Sequence, residues 1–118
     1  AKAVIYDEKN RVLLLKRSNY HKKHAGEWDL PGGHTHVGEG LEDGLTREVK
    51  EETNLKIKKP AFCRKEGNLH FFHAKMPSGK IKLSSEHTEF KFFKKKDLNT
   101  EEKFQKIAFD VLEKLENE

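Results

Sequence analysis

Apolar residues occur along the chain in short blocks, and the spacing within each block predicts the element that it forms. Residues 3–6 and 11–17 predict two strands joined by a polar turn at 7–10. The second strand contains four consecutive apolar residues, 12–15, which indicates a strand covered on both faces. Residues 28–30 predict a short extended segment that stops at a Pro-Gly-Gly sequence.

Two later segments have the periodicity of amphipathic helices. Residues 40–53 predict a helix whose buried stripe recurs every four residues, at Leu41, Leu45 and Val49. Residues 100–116 predict a second helix, in which Asn99 and Glu102 have the spacing of a capping box. Its apolar face consists of Phe104, Ile107, Ala108, Val111, Leu112 and Leu115.

The remaining blocks predict further strands near residues 56–64, 68–76, 80–83 and 89–94. We see no linker, internal repeat or low-complexity stretch, so residues 1–118 are expected to form a single domain. Mixed strands with one internal and one terminal helix predict an α/β fold. In this α/β/α sandwich, a mixed β-sheet lies between helices.

Composition narrows the class of protein. The 118 residues are 34% hydrophobic and 37% charged, but the periodic apolar blocks indicate a globular chain. The single cysteine, Cys63, excludes an internal disulfide and a cysteine-paired zinc site, which favours a reducing, cytoplasmic compartment. No apolar run approaches the roughly 20 residues of a membrane span, so we expect no membrane insertion.

Charge is segregated along the chain. Residues 39–55 carry six acidic and two basic side chains, whereas residues 56–96 carry three acidic and twelve basic ones. An acidic segment beside a basic one suits a site where cations meet a polyanionic substrate. For the lysines at 94–96, a solvated surface is the competing interpretation.

The acidic segment gathers three carboxylates on one side of the first helix. At about 100° per residue, Glu48, Glu51 and Glu52 share an arc of about 100°. They repel one another unless divalent cations neutralise them. Mg²⁺ prefers hard oxygen ligands of this kind. Alternatively, the three are ordinary exposed surface glutamates.

The wider spacing decides between these interpretations. Gly33 is followed after five residues by Glu39, and seven residues later Arg47 begins the sequence REVKEETNL. This resembles the Nudix box, G-x5-E-x7-R-E-U-x-E-E-x-G-U, in which U is a bulky aliphatic residue. The preceding WDLPGG also resembles the usual approach to that box. The penultimate glycine is Asn54 here, and asparagine is the best substitute in the left-handed backbone expected at that position.

The resemblance implies a hydrolase that acts on phosphorus-containing acid anhydrides with Mg²⁺, or alternatively Mn²⁺. Glu51 and Glu52 are the implied main metal ligands, joined by the Gly33 carbonyl, and Glu48 is either a ligand or the group that takes the water proton. Arg47 is expected to orient a catalytic glutamate. Glu39 is expected to brace the loop, and it also suits the positive end of the helix dipole.

A glutamate in a later loop often assists in this family. Glu86 is our choice for the auxiliary ligand or base, with Glu89 as the alternative. Trp28 could serve the pocket or the core equally well. The polar loop residues 20–24, and also His36, are further candidates for phosphate or base contacts. The expected substrate-binding residues are Arg17, Trp28, Leu30, Gly32 and His34.

Within the family, the short chain is similar to MutT-like enzymes, which release pyrophosphate from nucleoside triphosphates. Dinucleoside polyphosphates, ADP-ribose and the 5′ end of RNA are alternative substrates. A domain that senses nucleotides without catalysis, and RNA binding through the basic segment, are competing functions. A monomer and a homodimer are both compatible with the sequence.

Overall fold

The structure is a computed structural model that describes residues 1–19 and 24–118. Within these residues, six strands form one mixed sheet in the order β3-β2-β1-β5-β4, and β6 pairs with β2. β1 and β5 run parallel, and the other pairs are antiparallel. The strands are β1 Lys2–Tyr6, β2 Arg11–Arg17, β3 Trp28–Asp29, β4 Ala61–Glu66, β5 Leu69–Lys75 and β6 His87–Lys94.

A helix covers each face of the sheet. Helix α1, Leu41–Thr53, packs on one face, and helix α2, Lys103–Glu116, packs on the other. Along β2, Val12 and Leu14 belong to the core beneath α2, whereas Leu13 and Leu15 belong to the core beneath α1. All four are fully buried, which confirms the strand covered on both faces and the α/β/α sandwich.

Helix α1 differs from its prediction at its first turn. Leu45 and Val49 are buried as expected, but Leu41 is 39% exposed, so its assignment to the buried stripe is wrong. Leu41 is the first residue of the helix and lines an open cleft. At the other end, Asn54 adopts a left-handed backbone with φ of 67°, and its N–H donates to the Lys50 carbonyl, as the sequence predicted.

The predicted strand at residues 80–83 does not form. The N–H groups of Lys82 and Ser84 instead donate to the carbonyls of Thr53 and Glu52 at the end of α1. These are carbonyls that the last turn of a helix leaves without an intrahelical partner. The segment therefore caps α1, while Ile81 packs against the core on that side.

Two element boundaries are also corrected. β4 begins at Ala61, because Lys59 has a positive φ of 45° and Pro60 has no N–H to donate to a ladder. Helix α2 begins at Lys103 and is capped by Glu102, whose carboxylate accepts from the N–H groups of Phe104 and Gln105. The predicted apolar face of α2 is confirmed. No helix in residues 1–19 or 24–118 is long and apolar enough to cross a membrane.

Candidate active site

A tight turn before α1 is held against the beginning of β1. The N–H of Ala3 donates to the Pro31 carbonyl at 2.8 Å, and the Ala1 nitrogen donates to the Gly33 carbonyl at 2.9 Å. Gly32 between them has a φ of +129°, and a Cβ there would collide with the carbonyl oxygen of Ala1. Only glycine therefore permits this approach, which fixes the position of the Gly33 carbonyl.

Glu52 is the most buried of the helix carboxylates. Its side chain accepts a hydrogen bond from the Gly32 N–H at 2.9 Å, and the residue is only 5% exposed. Burial raises the pKa of Glu52 to about 7, although the Gly32 hydrogen bond and the Lys2 charge oppose this rise. A divalent cation would favour the ionised carboxylate, because its positive charge compensates for the hydration that the carboxylate loses on burial.

Arg47 links three carboxylates around the loop. Its guanidinium donates to both oxygens of Glu39, at 2.8 and 3.1 Å, and to Glu48 at 3.1 Å and Glu51 at 2.7 Å. Glu39 also accepts from the N–H of His36 within the loop. The Arg47 hydrogen bond lowers the pKa of Glu39 to about 2. These hydrogen bonds tie the loop to the helix.

The helix carboxylates do not all face the same way. Glu48 and Glu52 line the cleft, and a Cβ at Gly33 would lie 2.8 Å from a Glu48 carboxylate oxygen. The side chain of Glu51 is 52% exposed and pairs with Arg47. The structure therefore places Glu48 against Gly33 and Glu52 against Gly32 at the cleft, and it leaves Glu51 toward solvent.

The loop before β6 adds a further carboxylate. Glu52, Glu86 and His87 each offer a ligand atom, and these atoms lie within 4.8 Å of one another. The N–H of Ser18 donates to the Glu86 carbonyl at 2.9 Å and holds this loop. Glu89, the alternative, pairs instead with Lys16 at 3.3 Å on the surface. The oxygen donors of Glu48, Glu52, Glu86 and Gly33 fit the preference of Mg²⁺.

These groups border an open cleft of about 910 Å³. Among the expected substrate-binding residues, Arg17, Trp28, Gly32 and His34 line it, and so do His24 and His36. Trp28 also packs edge-to-face on Phe93, so it serves both the cleft and the core. Leu30 does not face the cleft, because it is fully buried beneath α2. The candidate loop residues 20–23 lie outside the described residues.

Three polar residues beside the cleft were not identified from the sequence. Asp29 and His87 are buried, and Lys2 donates to Asp29 at 3.2 Å. One signal was available for Asp29: a carboxylate inside an apolar strand-like segment is rarely buried without partners. Nothing local marked Lys2 or His87, because their neighbours come from distant parts of the chain.

A family model described as NUDIX domain matches residues 1–115. The chain belongs to the Nudix family. Members of this family are pyrophosphohydrolases that act on phosphorus-containing anhydrides and use a divalent metal. This membership confirms the family resemblance drawn from the box.

Solved Nudix structures share the whole fold. The MutT protein from Methanosarcina mazei Go1 is 27% identical, with a TM-score of 0.72 over 99% of this chain and 93% of that one. An Ap4A hydrolase from C. elegans is 26% identical, with a TM-score of 0.70 over 98% of this chain and 94% of that one.

Curated relatives match over a shorter segment. The ADP-ribose pyrophosphatase of Methanocaldococcus jannaschii is 45% identical over 51 residues, which cover 43% of this chain and 29% of that protein. A putative 8-oxo-dGTP diphosphatase of Bacillus subtilis is 40% identical over 50 residues, which cover 42% of this chain and 30% of that protein. The matched segments thus span less than a third of either relative.

Proposed function

We propose that this chain is a Mg²⁺-dependent hydrolase of a phosphoanhydride bond in a nucleoside diphosphate linked to another moiety. A MutT-like nucleoside triphosphate pyrophosphohydrolase is the specific form that we favour. One observation carries the proposal. The buried carboxylate of Glu52 lies within 4.8 Å of the carboxylate of Glu86, which belongs to a separate loop, and both residues line the cleft. A solvated surface cluster would not bury a carboxylate in this way.

The proposed metal ligands are the carboxylates of Glu48, Glu51, Glu52 and Glu86 and the carbonyl of Gly33. When bound, Mg²⁺ screens phosphate charge and lowers the pKa of an attacking water. Rotation of Glu51 away from Arg47 would let it join the other ligands, since its side chain is half exposed. A phosphate chain bound to this metal would lie in the cleft that Gly33, Glu48, Glu52 and Glu86 line.

Two carboxylates are candidates for the group that takes the water proton. Glu48 is held by Arg47 at 3.1 Å, so its orientation is fixed. Glu86 is exposed in its loop and lies near Glu52. A correctly placed base of this kind contributes about 10²–10⁴-fold to the rate. Comparing Glu48→Gln with Glu86→Gln by their pH–rate profiles would separate the two.

The cleft supplies groups suited to a nucleotide. Arg17, His34 and Lys103 line it and offer hydrogen-bond donors to phosphate, and Trp28 offers an aromatic surface to a base. The protein from M. jannaschii named an ADP-ribose pyrophosphatase makes ADP-ribose the second substrate to test. Dinucleoside polyphosphates are the third, because the C. elegans structure is named an Ap4A hydrolase.

The decisive experiment is a screen of these nucleotides, and of RNA bearing a 5′-triphosphate, with Mg²⁺ in ¹⁸O-labelled water. Mass spectrometry of the products identifies both the bond that is cut and the phosphorus that water attacks. We expect a nucleoside monophosphate and pyrophosphate from a nucleoside triphosphate. Glu52→Gln should lower turnover by orders of magnitude, whereas Glu42→Gln, an exposed position on the same helix, should not.

Other outcomes would point elsewhere. Cleavage of ADP-ribose alone would replace the favoured substrate while keeping the reaction. Nucleotide binding without any Mg²⁺-dependent hydrolysis would support a sensing domain and refute the proposed enzyme. RNA binding that weakens steeply with salt, without hydrolysis, would favour the basic segment as the functional surface.

A further inference from the structure

Asp29 is a buried carboxylate outside the family box, and three basic side chains surround it. Its side chain is 3% exposed, and Oδ2 accepts from Lys2 Nζ at 3.2 Å and from Arg17 Nη1 at 3.0 Å. His87 Nε2 lies 3.8 Å from the same oxygen. Burial acts to raise the pKa of Asp29, but His87, Lys2 and Arg17 outweigh it, so the pKa is lowered.

All four members of this group line the cleft, and Arg17 has the most exposed side chain among them. It ends β2, where the pairing with β6 shifts in register after Lys16. Within residues 1–19 and 24–118, Asp29 is the carboxylate that pairs with it. The Arg17 side chain remains 24% exposed and lines the cleft. Asp29 holds Nη1, and Nε is buried, so the remaining N–H groups of the two Nη nitrogens are the donors left for a ligand.

Lys2 connects Asp29 to the metal-binding turn. Its ammonium group donates to Asp29 at 3.2 Å, to the Leu30 carbonyl at 3.2 Å and to the Gly32 carbonyl at 3.3 Å. A lysine has three donors, so all of them are used here. The same turn supplies the Gly32 N–H to Glu52 and contains the Gly33 carbonyl.

We infer that Asp29 is a positioning residue that serves two sites. Its carboxylate directs the Arg17 guanidinium toward a phosphate-bearing ligand in the cleft, and through Lys2 it fixes the turn that presents the metal-binding groups. The inference rests on the proposed function, because it requires a nucleotide in the cleft. Neither Asp29 nor Lys2 touches the reacting atoms.

A double-mutant cycle tests the link to Arg17. Binding of α,β-methylene-ATP and α,β-methylene-GTP with Mg²⁺ is measured by calorimetry for the wild type, Asp29→Asn, Arg17→Ala and the double variant. Each single variant should bind about tenfold more weakly or worse, because a hydrogen bond to a charged group is lost. The double variant should be no weaker than the weaker single variant, since both changes remove the same interaction.

Two results would refute the link between Asp29 and Arg17. One is an analogue affinity of Asp29→Asn within twofold of the wild type. The other is a double variant whose fold-loss of affinity equals the product of the two single fold-losses. Asp7→Asn is the matched control, because Asp7 pairs with Arg11 at 2.8 Å away from the cleft. It should leave binding unchanged. Calorimetry is performed below the melting transition of each variant, so a loss of stability alone does not weaken binding.

The link to the metal is tested without any nucleotide. Mn²⁺ binding, followed by electron paramagnetic resonance, should weaken about tenfold or more in Lys2→Met, as is typical when an outer-shell partner is lost. Lys2→Arg should recover part of the affinity. Unchanged Mn²⁺ affinity in Lys2→Met would refute the role of the turn.

The two proposals fail in different ways. If the wild type bound neither analogue and hydrolysed nothing, the proposed function would be refuted, and Mn²⁺ binding by Lys2→Met would still decide the role of the turn. If the wild type hydrolysed nucleotides and Asp29→Asn bound the analogues normally, only the inference on Asp29 would be lost. Should Asp29→Asn fail to fold, Arg17→Lys tests the pair from the other side, because it keeps the charge and removes the fork that Asp29 holds. Analogue binding by Arg17→Lys within twofold of the wild type would then refute the inference.

Discussion

Glu52→Gln should stabilise the metal-free protein at neutral and alkaline pH while abolishing its function. The substitution keeps the shape of the side chain and an oxygen that can accept from the Gly32 N–H, which now lies 2.9 Å from Glu52. It removes only the negative charge. Because Glu52 is 5% exposed, that charge is costly whenever no cation neutralises it.

The size of the effect follows from proton linkage. Burial raises the pKa of Glu52 from 4.5 to about 7, and each pKa unit corresponds to about 1.4 kcal/mol. The folded protein therefore loses about 3 kcal/mol of stability as pH rises from below 4.5 to above 7. The sign is fixed, since a raised carboxyl pKa means that the folded state binds the proton more tightly than the unfolded state.

Thermal melting in a metal chelator measures this difference. In a domain of this length, about 1 kcal/mol shifts the melting temperature by about 4 °C. We expect Glu52→Gln to melt about 10 °C above the wild type at about pH 8, with a gap that shrinks toward about pH 5. Other titrating groups occur in both proteins, so their contributions largely cancel.

Saturation with Mg²⁺ should close most of this gap in melting temperature. A ligand at about 100 times its Kd stabilises the folded state by about 2.7 kcal/mol, which offsets most of the charge penalty in the wild type. Glu52→Gln should gain less. An equal gap at both pH values in chelator would refute the buried, proton-binding carboxylate, and Glu42→Gln is the exposed control.

Three further changes test the local geometry by thermal melting. Gly32→Ala should cost roughly 2 kcal/mol or more, because its Cβ meets backbone, whereas Gly26→Ala, with open space around its Cβ, should cost about 1 kcal/mol; equal losses would contradict the close approach. Asn54→Gly should be neutral or slightly stabilising, within about 0.5 kcal/mol, and a clear fall in melting temperature would count against the left-handed assignment. Glu102→Ala should cost about 1 kcal/mol through loss of the α2 cap, and no loss would contradict that cap.

The sequence predicted the elements whose pattern is local and missed those that depend on a partner. The continuous apolar run of β2 and the stripe of α2 report burial directly, so both were identified correctly. Residues 80–83 alternate apolar and polar residues like a strand, but their backbone partners are the carbonyls at the end of α1. Periodicity reports which side chains are buried and does not report what the backbone pairs with.

The same distinction applies to the candidate site. Spacing along one helix was enough to group Glu48 with Glu52, since about 3.6 residues make a turn. It was not enough to separate Glu51, because Arg47 draws that side chain toward solvent. The position of Glu86 beside Glu52 depends on how β6 pairs with β2, which is a long-range feature.

The residues that hold the site in place come from the parts of the chain that the box does not cover. Lys2 and Asp29 lie on strands β1 and β3, and they meet only because the turn before α1 pairs with β1. Substitutions chosen from the box alone would therefore change the carboxylates and would not test Lys2 or Asp29. If the support matters as we infer, Lys2→Met should weaken Mn²⁺ binding while every box carboxylate remains in place.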